Sequence, residues 1–224
     1  MNENELLIIE LMKKFDVSAE QLIGVLIQYN LLDYSKLEQL CGLQSIPIPQ
    51  VEVGWFAFAG NKFSHRPDAY ENCLGVVALL YEDTFSYVGK RGLILIPEQY
   101  KGPWSSIYTE TFVRSTNNGF LNTMQLLKHA KSLNVPMPGI EWAASYSKNG
   151  VKAGQAFVPA IEQLNQIKSN QSKIDEAFQK INVSFNWNCW SSTETARFRV
   201  CVSQEHENHV LKTHNLYTPC VVPF

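Results

Sequence analysis

A chain of 224 residues, 45% of them hydrophobic, is long enough to bury a sizeable core. Its 19 basic and 21 acidic residues give a net charge of −2, which disfavours a function in binding nucleic acid or an anionic membrane. No apolar run reaches membrane-spanning length, and the sequence does not begin with a basic and then apolar leader, so we expect neither a transmembrane segment nor a signal peptide. The five cysteines form no closely spaced pair, which favours reduced thiols in a cytoplasm, or in a particle assembled there such as a phage virion.

Residues 1–44 predict a small N-terminal module of three short helices. The first covers residues 3–15, the second begins at Ser18, which forms a capping box with Gln21, and the third begins near Ser35. Such a module fits either a docking or oligomerisation bundle that binds a partner chain, or a DNA-binding unit of helix-turn-helix size. Its few basic residues disfavour the second alternative, in which the protein would be a ligand-sensing DNA-binding regulator.

Residues 45–50 predict a linker, because alternating prolines remove hydrogen-bond donors and hold the chain extended. The main domain then covers residues 51–224. Within it, residues 51–58, 73–81 and 92–96 predict strands, and residues 61–70 and 81–90 predict loops or turns. Trp104 follows in another loop, where it either packs against these strands or contacts a ligand; packing is the commoner fate of a tryptophan.

Four helices are predicted in the rest of the main domain, at residues 121–133, 140–146, 161–167 and 172–181. Pro159 stops a short strand-like run just before the third of them. These helices do not alternate strictly with the strands, so the predicted fold class is α+β instead of a doubly wound sheet.

The most informative run is Cys189-Trp190-Ser191-Ser192-Thr193-Glu194. Its three hydroxyl residues, placed between an indole and a carboxylate, can bond nearby backbone groups in place of a strand ladder. We therefore interpret Trp190, Ser191, Ser192, Thr193 and Glu194 as a structural motif at a corner of the chain. Beyond it, Phe198, Val200 and Val202 alternate with more polar residues, which predicts a strand with one buried face.

These residues carry a resemblance to a known family. The order of Phe157-Val158-Pro159, a helix, the Trp190–Glu194 run, a strand, Lys212 and a closing Val221 and Phe224 resembles the Lcl C-terminal-type domain of bacteria and phages. The resemblance is faint from Gly75 and clear from Gly119 onward. This sequence has Cys189 where the family commonly has tyrosine, and Thr218-Pro219-Cys220 where it commonly has valine-arginine-proline.

The resemblance implies a C-type-lectin-like fold, similar to that of the formylglycine-generating enzyme and of the variable proteins of diversity-generating retroelements. In those variable proteins the final segment displays diversified residues on a fixed scaffold. It thus implies that the C-terminal surface binds a protein or glycan ligand, as receptor-binding proteins do. The candidate ligand-binding residues are Arg197, Arg199, Glu205, His206, His209, Leu211, His214, Asn215 and Tyr217; the alternative is an ordinary solvent-exposed face.

Other chemistry is less well supported by the residues. His206, His209 and His214 lie near Cys201 and Cys220, a set that could bind zinc, but strand alternation would separate them, and a solvated turn is the simpler interpretation. We expect no metal and no cofactor, since phosphate-binding glycine loops and lectin calcium signatures are missing too. Catalysis would need paired acids such as Glu162 with Glu194, or Glu110 with Asp83. The sequence also lacks the glycine-flanked serine of a nucleophile elbow, which further disfavours catalysis. Non-enzymatic recognition is therefore the main interpretation, and an enzyme of unknown substrate on the same fold is the alternative.

Overall fold

The computed structural model describes residues 51–69, 72–81, 91–196, 199–203 and 209–224. The predicted N-terminal module and linker lie outside these residues, as do Arg197, Glu205 and His206. Apart from Tyr81 and Arg91, the described residues belong to one compact unit made of Val51–Leu80 and Gly92–Phe224.

The first sheet is antiparallel throughout. Its strands are β1 (Phe56–Phe58), β2 (Lys62–Ser64), β3 (Cys73–Leu80), β4 (Gly92–Leu95) and β10 (Val221–Pro223), in the order β10-β4-β3-β1-β2. The central strands β3 and β4 read as continuous apolar runs because both faces of the sheet are covered there. The sheet therefore forms the buried base of the domain, and the last strand of the chain closes one edge.

The second sheet carries the tail of the chain. Its strands are β5 (Tyr100–Gly102), β6 (Cys189–Ala196), β7 (Arg199–Ser203), β8 (His209–Leu211) and β9 (Leu216–Thr218), in the order β5-β9-β6-β7-β8. Strands β6 and β9 are parallel, and the other neighbours are antiparallel. The run Trp190–Glu194 thus lies in the middle of this sheet.

Along the chain, four described helices lie between strands β5 and β6: α1 (Gly119–Leu133), α2 (Pro138–Ser145), α3 (Ile161–Ser169) and α4 (Gln171–Lys180). Asn118 caps α1 through a bond from the Leu121 amide, and Pro138 occupies the first turn of α2, where its missing N–H costs nothing. Helices α3 and α4 pack against β3, whereas α1 and α3 pack against β6. None of the described helices combines the length and the apolar character needed to cross a membrane.

Gly119 joins the starts of α1 and α3. Its amide donates to Gln163 Oε1 at 2.9 Å, and the same oxygen accepts from the Ala160 amide at 3.1 Å. A Cβ at residue 119 would lie 2.5 Å from Val158 O, so a glycine is required at this close approach.

The α+β class and the four predicted helices of the main domain are confirmed, with helix ends shifted by a few residues. The strand predictions need three corrections. Residues 61–70 were expected to form a loop but contain β2, and β5 was not predicted, because both are three-residue strands too short to show alternation. The predicted strand at 51–58 is formed only by its last residues, since Gly54 turns the chain at φ +96°.

Candidate binding surface

The run Trp190–Glu194 is a bulged strand, which corrects its prediction as a corner. In the pairing of β6 with β7, Trp190 lies opposite Val202 and Glu194 opposite Val200. Three residues of β6 therefore face the single residue Cys201, and the ladder is interrupted between them. The hydroxyl residues occupy this interruption, which is why their sequence resembles that of a turn.

The hydroxyl residues of the bulge tie β6 to two other segments. Thr193 Oγ1 donates to Ser115 O at 2.8 Å and accepts from the Ile161 amide at 3.0 Å. The Ser192 amide donates to Pro159 O at 2.9 Å. All three hydroxyl side chains are buried, so these bonds replace the missing ladder in a place that water does not reach.

Two tryptophans fix the start of the segment 104–116, which crosses the same strand. Trp104 Nε1 donates to Ser191 O at 3.0 Å, and Trp190 Nε1 donates to Gly102 O at 2.9 Å. Both rings are almost completely buried. Of the two roles weighed for Trp104, packing is therefore the one that the structure shows.

An ion pair between Glu194 and Lys212 lies beneath this segment, and both side chains are fully buried. Lys212 Nζ also donates to Thr109 O and lies 4.9 Å from the centre of the Trp104 ring. Burial lowers the pKa of Lys212, against the hydrogen bond and charge of Glu194, which raise it. A buried pair of this kind holds its surroundings in place, because either charge alone would be strongly destabilising there.

The Glu194 carboxylate also determines the backbone conformation of the segment. It accepts from the Thr111 amide at 3.0 Å and from the Phe112 amide at 2.6 Å. Successive amides that converge on one anion form a nest, in which one residue takes a left-handed conformation. Phe112 is that residue, with φ 59°.

The outward side of the segment exposes three large apolar side chains, which we call the apolar set: Ile107, Tyr108 and Phe112, with exposures of 52%, 42% and 69%. Arg114 pairs with Glu110 at 2.8 Å and lies 5.6 Å from the centre of the Phe112 ring. The buried anchors thus hold an apolar and aromatic surface in a fixed position.

The predicted tail residues fall into two groups. Arg199 and Leu211 lie directly opposite each other on β7 and β8, on the face turned away from the buried pair Val200 and Val210. Arg199 is exposed and Leu211 half-buried. These two predicted residues therefore share one outward face, as the sequence alternation indicates.

His214 and Asn215 are exposed in the turn that leads to β9. The preceding residue, Thr213, connects this turn to the apolar set, because its Oγ1 lies 3.1 Å from the Tyr108 hydroxyl. His209 belongs to β8, but its side chain lies outside the description, as do Arg197, Glu205 and His206 entirely.

Tyr217 lies apart from Arg199, although both flank strand β6. Tyr217 pairs with Cys189 at the start of β6, whereas Arg199 pairs with Ala196 at the end of that strand and on its other side. Because β6 is bulged, the same stretch corresponds to four steps of β7, from Ser203 to Arg199, or roughly 13 Å of strand. Tyr217 contacts Lys101, whose Nζ lies 5.4 Å from its ring centre, so Arg199 and Tyr217 belong to different parts of the sheet.

No sequence pattern predicted the apolar set. Ile107, Tyr108 and Phe112 have neither helical nor strand periodicity, and their exposure depends on anchors more than eighty residues away in the chain, as the contacts of Glu194 illustrate. Only an unusual number of apolar residues in a segment without a predicted element could have pointed to them.

The described residues contain no group of three or more His, Cys, Asp or Glu side chains able to hold a metal ion. Of the residues weighed for zinc, Cys220 is fully buried, and burial raises the pKa of its thiol; His206 and the side chain of His209 lie outside the description. Glu194, weighed as one of a pair of catalytic acids, is committed to Lys212 and to backbone amides.

Fold and site together define an α+β domain of two five-stranded sheets that holds a surface segment on a buried ion pair. It is similar in structure to a fimbrial protein from Bacteroides ovatus ATCC 8483, with a TM-score of 0.60 and 15% sequence identity. The alignment covers 78% of this chain and 49% of that protein, so the likeness shows a shared fold and spans about half of the neighbour's length. No family model and no curated protein matches the chain.

Proposed function

We propose that this chain is a non-enzymatic recognition protein whose main domain is C-type-lectin-like, of the Lcl C-terminal type, and binds a protein or glycan through the outer surface of the second sheet. The resemblance of the Trp190–Glu194 run and Lys212 to that family supports the fold assignment. In this proposal the domain acts by surface complementarity and makes or breaks no bond.

The observation that carries the proposal is the direction in which the motif faces. Glu194 and Lys212 are the ionisable side chains that could take part in catalysis, yet both are fully buried and bonded to each other and to backbone groups. A substrate could not reach them without unfolding the segment 104–116. The side chains left outside, including Arg199, His214 and Asn215, are of types that serve specific contacts.

A role in receptor binding or surface attachment, on a bacterium or a phage particle, agrees with this arrangement. The fimbrial protein that shares the fold belongs to a class of surface structures. At 15% identity, this neighbour agrees with a role in surface attachment but does not indicate which ligand is bound.

The retroelement part of the proposal has a genetic test. The gene's neighbourhood should be sequenced for a reverse transcriptase and for a near-copy of the DNA that encodes residues 189–224. We expect both, with the copy differing at adenines. If neither is present, the tail is not a diversified surface, and its binding role would rest on direct measurements.

The binding part is tested with the full chain on an array of defined glycans and on an array of purified cell-surface proteins. The expected result is saturable binding to one of them that Arg199→Ala combined with His214→Ala weakens. Lys62→Ala is a matched control, since Lys62 is an exposed cation of the first sheet. Binding that both variants retain equally would contradict the proposed surface, and an array compound released in altered form would favour the enzyme alternative.

A further inference from the structure

Phe112 is an exception among the residues of left-handed conformation. In the described part of the chain, the other non-glycine residues with positive φ are Asn61, Asn72, Asn134, Asn149 and Asn182. Asparagine tolerates this conformation because its short side chain bonds locally, whereas a bulky residue is strained there. A phenylalanine at φ 59° thus needs a separate reason.

The fold needs the conformation at residue 112 but not the phenylalanine side chain. The nest around Glu194 uses the backbone amides of Thr111 and Phe112, which a glycine would supply without strain. The ring itself is 69% exposed, the highest exposure of any large hydrophobic side chain in the described residues. Backbone strain and apolar exposure therefore coincide at one residue, a combination that marks functional positions.

The neighbouring polar groups indicate the chemistry of a partner. Arg114 is paired with Glu110, so the charges of the segment cancel, and the Tyr108 hydroxyl already bonds Thr213. An anionic partner would require a surplus of cations, which the segment lacks. The most exposed large side chain of the segment is the apolar ring of Phe112, and a neutral apolar surface complements it best.

The size of the apolar set indicates the centre of an interface. Aromatic side chains bury about 150–250 Å² each when fully covered, and the members of the set are about half exposed, so together they can supply roughly 300 Å² of the roughly 800 Å² that each partner contributes to a standard interface. The polar turn at Thr213, His214 and Asn215 adjoins the set through Tyr108 and would form part of the rim.

We infer that the apolar set is the energetic centre of recognition, and that its partner is a protein segment that covers Phe112 with uncharged apolar side chains. This inference rests on the proposed recognition function and names the partner class of that surface. Because the anchors of the segment are buried, the aromatic knob is preorganised and loses little conformational freedom on binding.

The experiment is a selection of phage-displayed random linear peptides on the full chain. We expect the enriched peptides to be rich in apolar and aromatic residues, and to lose affinity about tenfold or more on Phe112→Gly, as truncation of a hot-spot residue does. Asn134→Gly changes another left-handed residue, and Met124→Ala removes another exposed apolar side chain. Both controls should bind the peptides as the wild type does.

Several outcomes would overturn the inference. Peptides that bind Phe112→Gly normally but lose affinity on Arg199→Ala with His214→Ala would leave the recognition proposal standing and move its centre to the tail. Failure to enrich any peptide would contradict the inference that the apolar set is the centre of recognition. The recognition proposal itself would then be tested by binding to the glycan array. Self-association in sedimentation velocity that Phe112→Gly abolishes would make the occupant a second copy of this chain and not a different protein.

Discussion

Glu194 and Lys212, eighteen residues apart in the sequence, form an ion pair from which solvent is fully excluded. Glu194 belongs to the central strand β6, Lys212 directly follows β8, and the segment 104–116 lies on the pair through Thr109, Thr111 and Phe112. Its contribution is best seen by removing one charge at a time.

Glu194→Gln and Lys212→Met should each lower the free energy of unfolding by about 3–5 kcal/mol, because each leaves the partner charge buried and unpaired. The double variant should lose clearly less than the sum of the single losses. Urea unfolding of the four proteins measures this coupling. Strictly additive losses would mean that the two side chains do not interact in solution.

Thr193→Val should cost about 1–3 kcal/mol of stability, because it leaves the Ile161 amide without its partner and removes one of the two hydrogen bonds to Ser115 O, the other coming from Asn122 Nδ2. Thr195 in the same strand offers a matched control, since its hydroxyl bond to Arg199 O is solvent-exposed. Thermal unfolding of Thr193→Val and Thr195→Val compares the two. Equal losses would argue against the role of the bulge hydroxyls in holding the segment 104–116.

Phe112→Gly should raise stability by about 1 kcal/mol, since glycine adopts positive φ without the strain of a side chain. Phe112→Ala removes the same ring but keeps a Cβ, and should not gain. The difference between the two variants in chemical unfolding isolates backbone strain from loss of the ring. A glycine variant no more stable than the alanine variant would show that the left-handed conformation at residue 112 does not strain a residue with a Cβ.

Stability should fall as pH rises above 9. Burial raises the pKa of the Cys189 and Cys220 thiols above the ordinary value of 9.0, so the unfolded chain loses these protons at a pH where the folded chain keeps them. Each thiol then removes about 1.4 kcal/mol of stability per pH unit, starting at its unfolded pKa. Urea titrations between pH 8 and about 10 should show a flatter profile for Cys189→Ala with Cys220→Ala. Identical slopes in both proteins would contradict the buried, protonated state.

Tyr217→Ala should leave ligand binding nearly unchanged, whereas Arg199→Ala should weaken it, because the two residues flank β6 on opposite sides and at opposite ends, roughly 13 Å apart along the strand. The comparison uses whichever array ligand binds the wild type. Equal losses from the two variants would require a ligand that spans the whole sheet.

The helices of the main domain and strands β3 and β4 could be predicted because their residues carry the periodicity or the continuous apolar run of their element. The Trp190–Glu194 run was recognised as structural, but its strand was mistaken for a corner. Hydroxyl residues are ambiguous in this respect, since they bond the backbone equally well in turns and in bulges. Only the pairing of β6 with β7 shows which of the two is present.

The fold class, the helices and the residues of the buried motif could be predicted from local sequence, because local propensity and hydrophobic pattern act over a few neighbouring residues. The role of that motif in holding the segment 104–116 depends on long-range contacts. The carboxylate of Glu194 reaches the backbone of Phe112 across 82 positions of sequence, and this contact turns a phenylalanine outward that no local pattern places there. The same long-range pairing set Tyr217 apart from Arg199, since strand order depends on contacts that form only when distant segments meet.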